Sequence, residues 1–78
     1  MRIKIGTNME IGDPEYNIDI LPPLGTLIFL NEFYDIDKLE KYFEGTDINY
    51  EDLYRLRSCI LSRDEKGIYY YLIFELDY

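Results

Sequence analysis

Histidine and tryptophan are absent from this 78-residue chain, cysteine occurs once, and only eight lysines and arginines stand against sixteen aspartates and glutamates. Without histidine, serine–histidine and cysteine–histidine nucleophile systems are excluded. A closed zinc site, which takes four cysteine or histidine ligands, goes with them. The single Cys59 rules out an internal disulfide, the usual staple of small secreted domains, so a reducing, cytoplasmic setting is expected. No apolar run approaches the roughly 20 residues of a membrane span. No basic-then-apolar leader opens the chain, so the expectation is an unprocessed cytosolic protein. The five glycines stand singly, which leaves no phosphate-cradling loop.

What is present argues for a folded acidic mini-domain, residues 1–78. A chain of this length buries only roughly 60% of the surface its unfolded form exposes, so one thin core is available and a deep cleft is not. Hydrophobic content of 47% and aromatic content of 17% oppose disorder even at a net charge of −8.

The longest two-sided alternation lies at the end of the chain. Ile68, Tyr70, Leu72, Phe74, Leu76 and Tyr78 share one face, and Tyr69, Tyr71, Ile73, Glu75 and Asp77 the other. Tyr54, Leu56 and Ile60 match the first of these, with Arg55, Arg57, Cys59, Leu61 and Arg63 opposed. The pattern predicts a β-hairpin closed by a three-residue loop, Glu65-Lys66-Gly67, with Arg57 opposite Glu75 and Arg55 opposite Asp77. Leu53, Leu56 and Ile60 also fit helical spacing, with Asn49 as a cap, but the hairpin pairs so well that a strand is the preferred reading.

Earlier in the chain, Met1, Ile3, Ile5, Met9 and Ile11 alternate with polar residues and predict one strand over 1–11, bent at Gly6. Gly12-Asp13-Pro14-Glu15 reads as a turn, setting Ile11 opposite Tyr16 and Met9 opposite Ile18. The run Leu27-Ile28-Phe29-Leu30 suggests a strand covered on both faces. One short helix is expected near 37–44, with Asp37 and Glu40 in capping-box spacing, an apolar stripe of Ile36, Leu39, Tyr42 and Phe43, and Gly45 as the stop. A polar connector follows over 46–52. The fold class is therefore α+β, mainly β: a small antiparallel sheet of about five strands, or a partly open barrel, with one short helix.

Chemistry-bearing clusters are sparse. Asp35, Asp37, Glu40 and Glu44 lack the oxygen ligand and glycine that a calcium loop needs at its fifth and sixth positions, where Leu39 and Glu40 stand. Glu51-Asp52 and Asp35-Asp37 are close carboxylate pairs, but a small core offers no cavity to desolvate them for acid–base work. Cys59 near Arg57 has the makings of a reactive thiol; the plainer reading is a half-buried filler in the sheet. No enzyme, cofactor or metal is expected.

Charge placement is the feature that points to a partner. Between Ile5 and Tyr54 stand twelve acids and two bases, Lys38 and Lys41, whereas Arg55–Tyr78 balances four against four. A field of this sign repels nucleic acid and attracts basic grooves. The expectation is a non-catalytic protein-binding module whose carboxylates stand in for phosphates on the basic surface of a nuclease or other nucleic-acid-binding enzyme. Small inhibitors made by viruses and mobile elements against restriction or CRISPR nucleases work this way, an analogy of size and charge alone. The candidate contact residues are Glu32, Asp35, Asp37, Glu40, Glu44, Asp47, Glu51 and Asp52, with Tyr69 and Tyr71. Tyr69, Tyr71, Ile73, Cys59 and Leu61 would form a second apolar face, either covered internally or open to a partner. The alternative function is thus an assembly module, a homodimer joined through that tyrosine-rich face.

Overall fold

The closing hairpin is the middle of the sheet. A computed structural model describes residues 1–45 and 51–77. Its strands are β1 (Arg2–Thr7), β2 (Glu15–Asn17), β3 (Leu27–Phe29), β4 (Leu53–Asp64) and β5 (Gly67–Leu76), in the order β2-β1-β5-β4-β3. The five strands curl into a half-barrel, mainly β, with one short α-helix, α1 (Ile36–Phe43). Three pairings are antiparallel, as expected; β1 runs parallel to β5, so the sheet is mixed. The hairpin leaves one edge of β5 free, and β1 fills it in the β5 direction.

Residues 53–64 are extended, which resolves the strand-or-helix ambiguity. The register differs from the expected one. Asp64 pairs Gly67 across a two-residue loop, Glu65-Lys66, and a bulge between Leu56 and Ser58 absorbs the difference. Tyr54 and Leu56 therefore sit opposite Leu76 and Phe74 on the core face, while beyond the bulge Cys59 and Leu61 take that face and Ile60 leaves it. Gly67 still supplies a positive φ, of 117°, at the turn.

β1 is shorter than its alternation suggests. The Thr7 hydroxyl takes the Met9 N–H at 3.1 Å, a local bond that competes with the ladder, and the chain turns away. The β1–β2 register is accordingly Ile3 opposite Tyr16, eight positions from the expected one, and of the same parity, so the apolar faces still agree. β3 is an edge strand with one open face rather than a doubly covered one: Leu27 and Phe29 are each 42% exposed, and Leu30 instead enters the core from a 3-10 turn, Leu30–Glu32.

The helix begins one turn position earlier than its capping box implied. Asp35, not Asp37, is the N-cap, its carboxylate accepting the Asp37 N–H at 3.0 Å, and Asp37 lies in the first turn where a negative charge suits the dipole. Gly45, at φ 77°, stops it. Eight residues do not hold a helix in water alone, so burial of Leu39 and Phe43, at about 1.5–3 kcal/mol each, holds α1 on the sheet. Their neighbours in the core are Leu30, Tyr34, Ile3, Ile5, Tyr54, Leu56, Leu72 and Phe74. Two tyrosines also pin the cover: Tyr16 donates its hydroxyl to the Phe33 carbonyl, and Tyr34 donates to the Ile5 carbonyl at 3.2 Å. Burial pushes the Tyr34 hydroxyl well above its usual value, so it stays a donor at any ordinary pH.

Gly6 does not bend β1; it makes room. A Cβ there would run into the Tyr71 ring, which lies over the glycine on the open face of the sheet. Gly6→Ala should therefore cost about 1–3 kcal/mol by overpacking. In a Tyr71→Ala background the same change should cost much less, as urea unfolding of the four proteins of the double-mutant cycle would report. Equal costs in both backgrounds would contradict the close approach.

Candidate functional site

The sheet has a covered face and an open one, and the charges divide between them. On the open face Arg2, only 16% exposed in its side chain, donates from Nε to Glu15 at 2.9 Å and from its terminal nitrogen to Asp64, reaching from β1 to both β2 and β4. Lys4 meets the same Asp64 at 2.9 Å. The ion pairs expected in the hairpin both form, although the bulged register makes Arg55 diagonal to its acid: Arg55 to Asp77 at 2.8 Å and Arg57 to Glu75 at 3.7 Å. Four bases thus stand against four acids, and the whole formal charge of −8 belongs to the other residues.

The expected tyrosine patch lies on this open face, and it is engaged internally. Arg2 and Lys4 stand over the Tyr69 ring at 5.3 and 4.4 Å from its centroid. Tyr71 donates its hydroxyl to Asp13 at 3.0 Å. Cys59 and Leu61 do not join the patch, because the bulge turns them to the other side. Cys59 is exposed rather than a half-buried filler.

The acids lie on what covers the other face. Glu32 on the 3-10 turn, Asp35 at the N-cap, Asp37 and Glu40 on α1 and Glu44 at its C-cap are all exposed, while Leu30, Leu39 and Phe43 of the same elements are buried. Asp37, Glu40 and Glu44 recur at spacings of three and four, so they line one flank of the helix. Of the two bases of the acidic stretch, Lys38 is turned away from that row, whereas Lys41, four positions after Asp37 and three before Glu44, stands at its border. Lys38, Lys41 and Tyr42 line an open hollow with Glu10, Ile11 and Gly12. Glu51 and Asp52 are exposed just before β4, apart from that row in sequence; Asp47, with the rest of 46–50, lies outside the described residues. Among the described residues, no three Cys, Asp or Glu side chains converge closely enough to hold a metal ion. The acids therefore form a spread field rather than a chelate.

Neither the bond of Tyr71 to Asp13 nor the grip of Arg2 on Asp64 was legible in the sequence. Arg2 reads as one more polar residue in an alternating strand, and nothing in its spacing identifies an acid 62 positions away.

No family model matches the chain, and no curated protein or solved structure matches it significantly. Among the described residues, no helix is long and apolar enough to cross a membrane.

The open-face pairs set a pH dependence. Hydrogen bonds from Arg2 and then Lys4 hold the Asp64 carboxyl well below its ordinary value of 3.8; Arg2 lowers Glu15 from 4.5, and Arg55 lowers Asp77 from 3.8. The unfolded chain thus binds these protons more readily. Their stabilisation is complete above pH 4.5 and is lost as pH falls through the lower folded values. Asp64→Asn should lower the melting temperature at pH 7, and the gap from wild type should narrow steadily below pH 3.8. A gap that stays constant down to acid pH, in thermal unfolding followed by circular dichroism, would contradict the ion pairing.

Proposed function

We propose that the chain is a non-catalytic, acidic protein-binding module, acting in the cytoplasm, whose helix-bearing side occupies the basic surface of a nucleic-acid-binding protein. The observation that carries this reading is the separation of charge. Acids on the open face are neutralised by Arg2, Lys4, Arg55 and Arg57, while Glu32, Asp37, Glu40 and Glu44 stand exposed along one turn and one helix flank. Like charges at three- and four-residue spacing cost the isolated helix a few tenths of a kcal/mol per pair. A row of that kind suits a basic groove, where carboxylates replace phosphates and the two fields attract at a distance. The exposed Cys59 thiol fits a reducing compartment.

The partner class is a nuclease, or another enzyme with a basic channel, of the sort that anti-restriction and anti-CRISPR inhibitors occupy. Self-association through Tyr69 and Tyr71 is the less favoured alternative, since Tyr71 already bonds Asp13 and Tyr69 already lies beneath Arg2 and Lys4.

The test is competition. A nucleic-acid-binding enzyme recovered with the chain should be displaced by duplex DNA, and its affinity should fall steeply as salt rises. Neutralising Glu32, Glu40 and Glu44 to their amides, with the Asp35 cap and the first-turn Asp37 left intact, should weaken binding by about tenfold or more while the circular dichroism spectrum stays unchanged. Binding indifferent to salt and to DNA would overturn the reading.

A further inference from the structure

β4 is twelve residues long, but its outer neighbour covers only the first part of it. β3 pairs Leu53, Tyr54 and Arg55, and the Thr26 carbonyl and Gly25 N–H complete the strip at Leu56. From Arg57 to Asp64, no described strand lies on that side, so among the described residues a row of backbone donors and acceptors is open. Open strand edges bind extended chains, and small domains ordinarily blunt them with charge, proline or a covering element. Here the free length holds Ser58-Cys59-Ile60-Leu61-Ser62 without a charge or proline, and Ile60 and Leu61 are 46% and 60% exposed on opposite faces.

We propose that this edge pairs with the same edge of a second copy, antiparallel, about a two-fold axis at Leu61. Two observations select that occupant and register. The free edge and the first turn residue span 57–65, whose midpoint is Leu61, so a centre nearer the chain start would drive the second copy's turn into Gly25 and Thr26. Charge complementarity agrees. Centred on Leu61, Arg57 of each copy faces Glu65 of the other and Ser58 faces Asp64, whereas a centre at Ile60 would set Arg57 against Arg63. The arm is also where acidic copies repel least, because residues 57–63 carry two arginines and no acid.

This inference is independent of the acidic-side reading, since its experiment measures self-association and involves no target. Sedimentation equilibrium should give a mass about twice the 9.4 kDa of the chain at high protein concentration. Leu61→Glu, which puts two carboxylates on the axis, should raise the dimer dissociation constant by about tenfold or more while leaving the circular dichroism spectrum unchanged. Arg57→Glu and Glu65→Arg should each weaken the dimer, and the two together should restore it. In a Cys59→Ser background, Leu61→Cys should cross-link readily on oxidation because the axis sets that position against itself. A monomer at all concentrations, a dimer indifferent to Leu61→Glu, or efficient cross-linking at Ile60→Cys instead would overturn the proposal.

Discussion

The pairing of β1 with β5 is the constraint on which the rest depends. It is parallel, so it cannot be closed by a turn, and β2, β3, α1 and β4 all occur in the crossover from β1 to β5. Ile3 and Ile5, opposite Tyr70 and Leu72, point into the core from the strand that fills the β5 edge. On the other face the same strand brings Arg2 and Lys4 to Asp64 and places Gly6 beneath Tyr71. One strand of six residues thus joins the hydrophobic core to the ion-paired face.

The charge distribution follows from this arrangement. Half of the chain's eight bases lie on β1 and β4 among acids of the open face, which takes them out of the field presented by the covering helix. Surface ion pairs contribute little stability individually. Their effect here is to localise the unbalanced charge. On the helix, Lys38 and Lys41 line the hollow beside Glu10 and Gly12, and Lys41 borders the row of Asp37, Glu40 and Glu44, in which acids outnumber bases.

Much of the architecture was legible in the sequence because burial imposes periodicity. The hairpin alternation identified β4 and β5, and the stripe through Leu39 and Phe43 identified the helix. Parity survived even where register did not, as Ile3 and Tyr16 share a face in either pairing. What was not legible depends on single local bonds or on partners distant in sequence. The Thr7 hydroxyl ends β1, the bulge after Leu56 reassigns Cys59, Ile60 and Leu61, and the parallel docking of β1 has no signature in spacing. The acidic row of the candidate site was readable from composition; the internal engagement of Tyr69 and Tyr71 was not, because it rests on Gly6, Asp13, Arg2 and Lys4 meeting them across the sheet.

An acidic helix flank and a neutralised sheet face should respond differently to a basic probe. The most direct measurement is a nuclear magnetic resonance titration of the intact chain with a short polyarginine peptide at low salt, reading amide shifts residue by residue. The largest changes should fall on Glu32, Asp37, Glu40, Glu44 and their immediate neighbours and should collapse on adding salt. Changes spread evenly around the molecule, or centred on Tyr69 and Tyr71, would contradict that separation of charge.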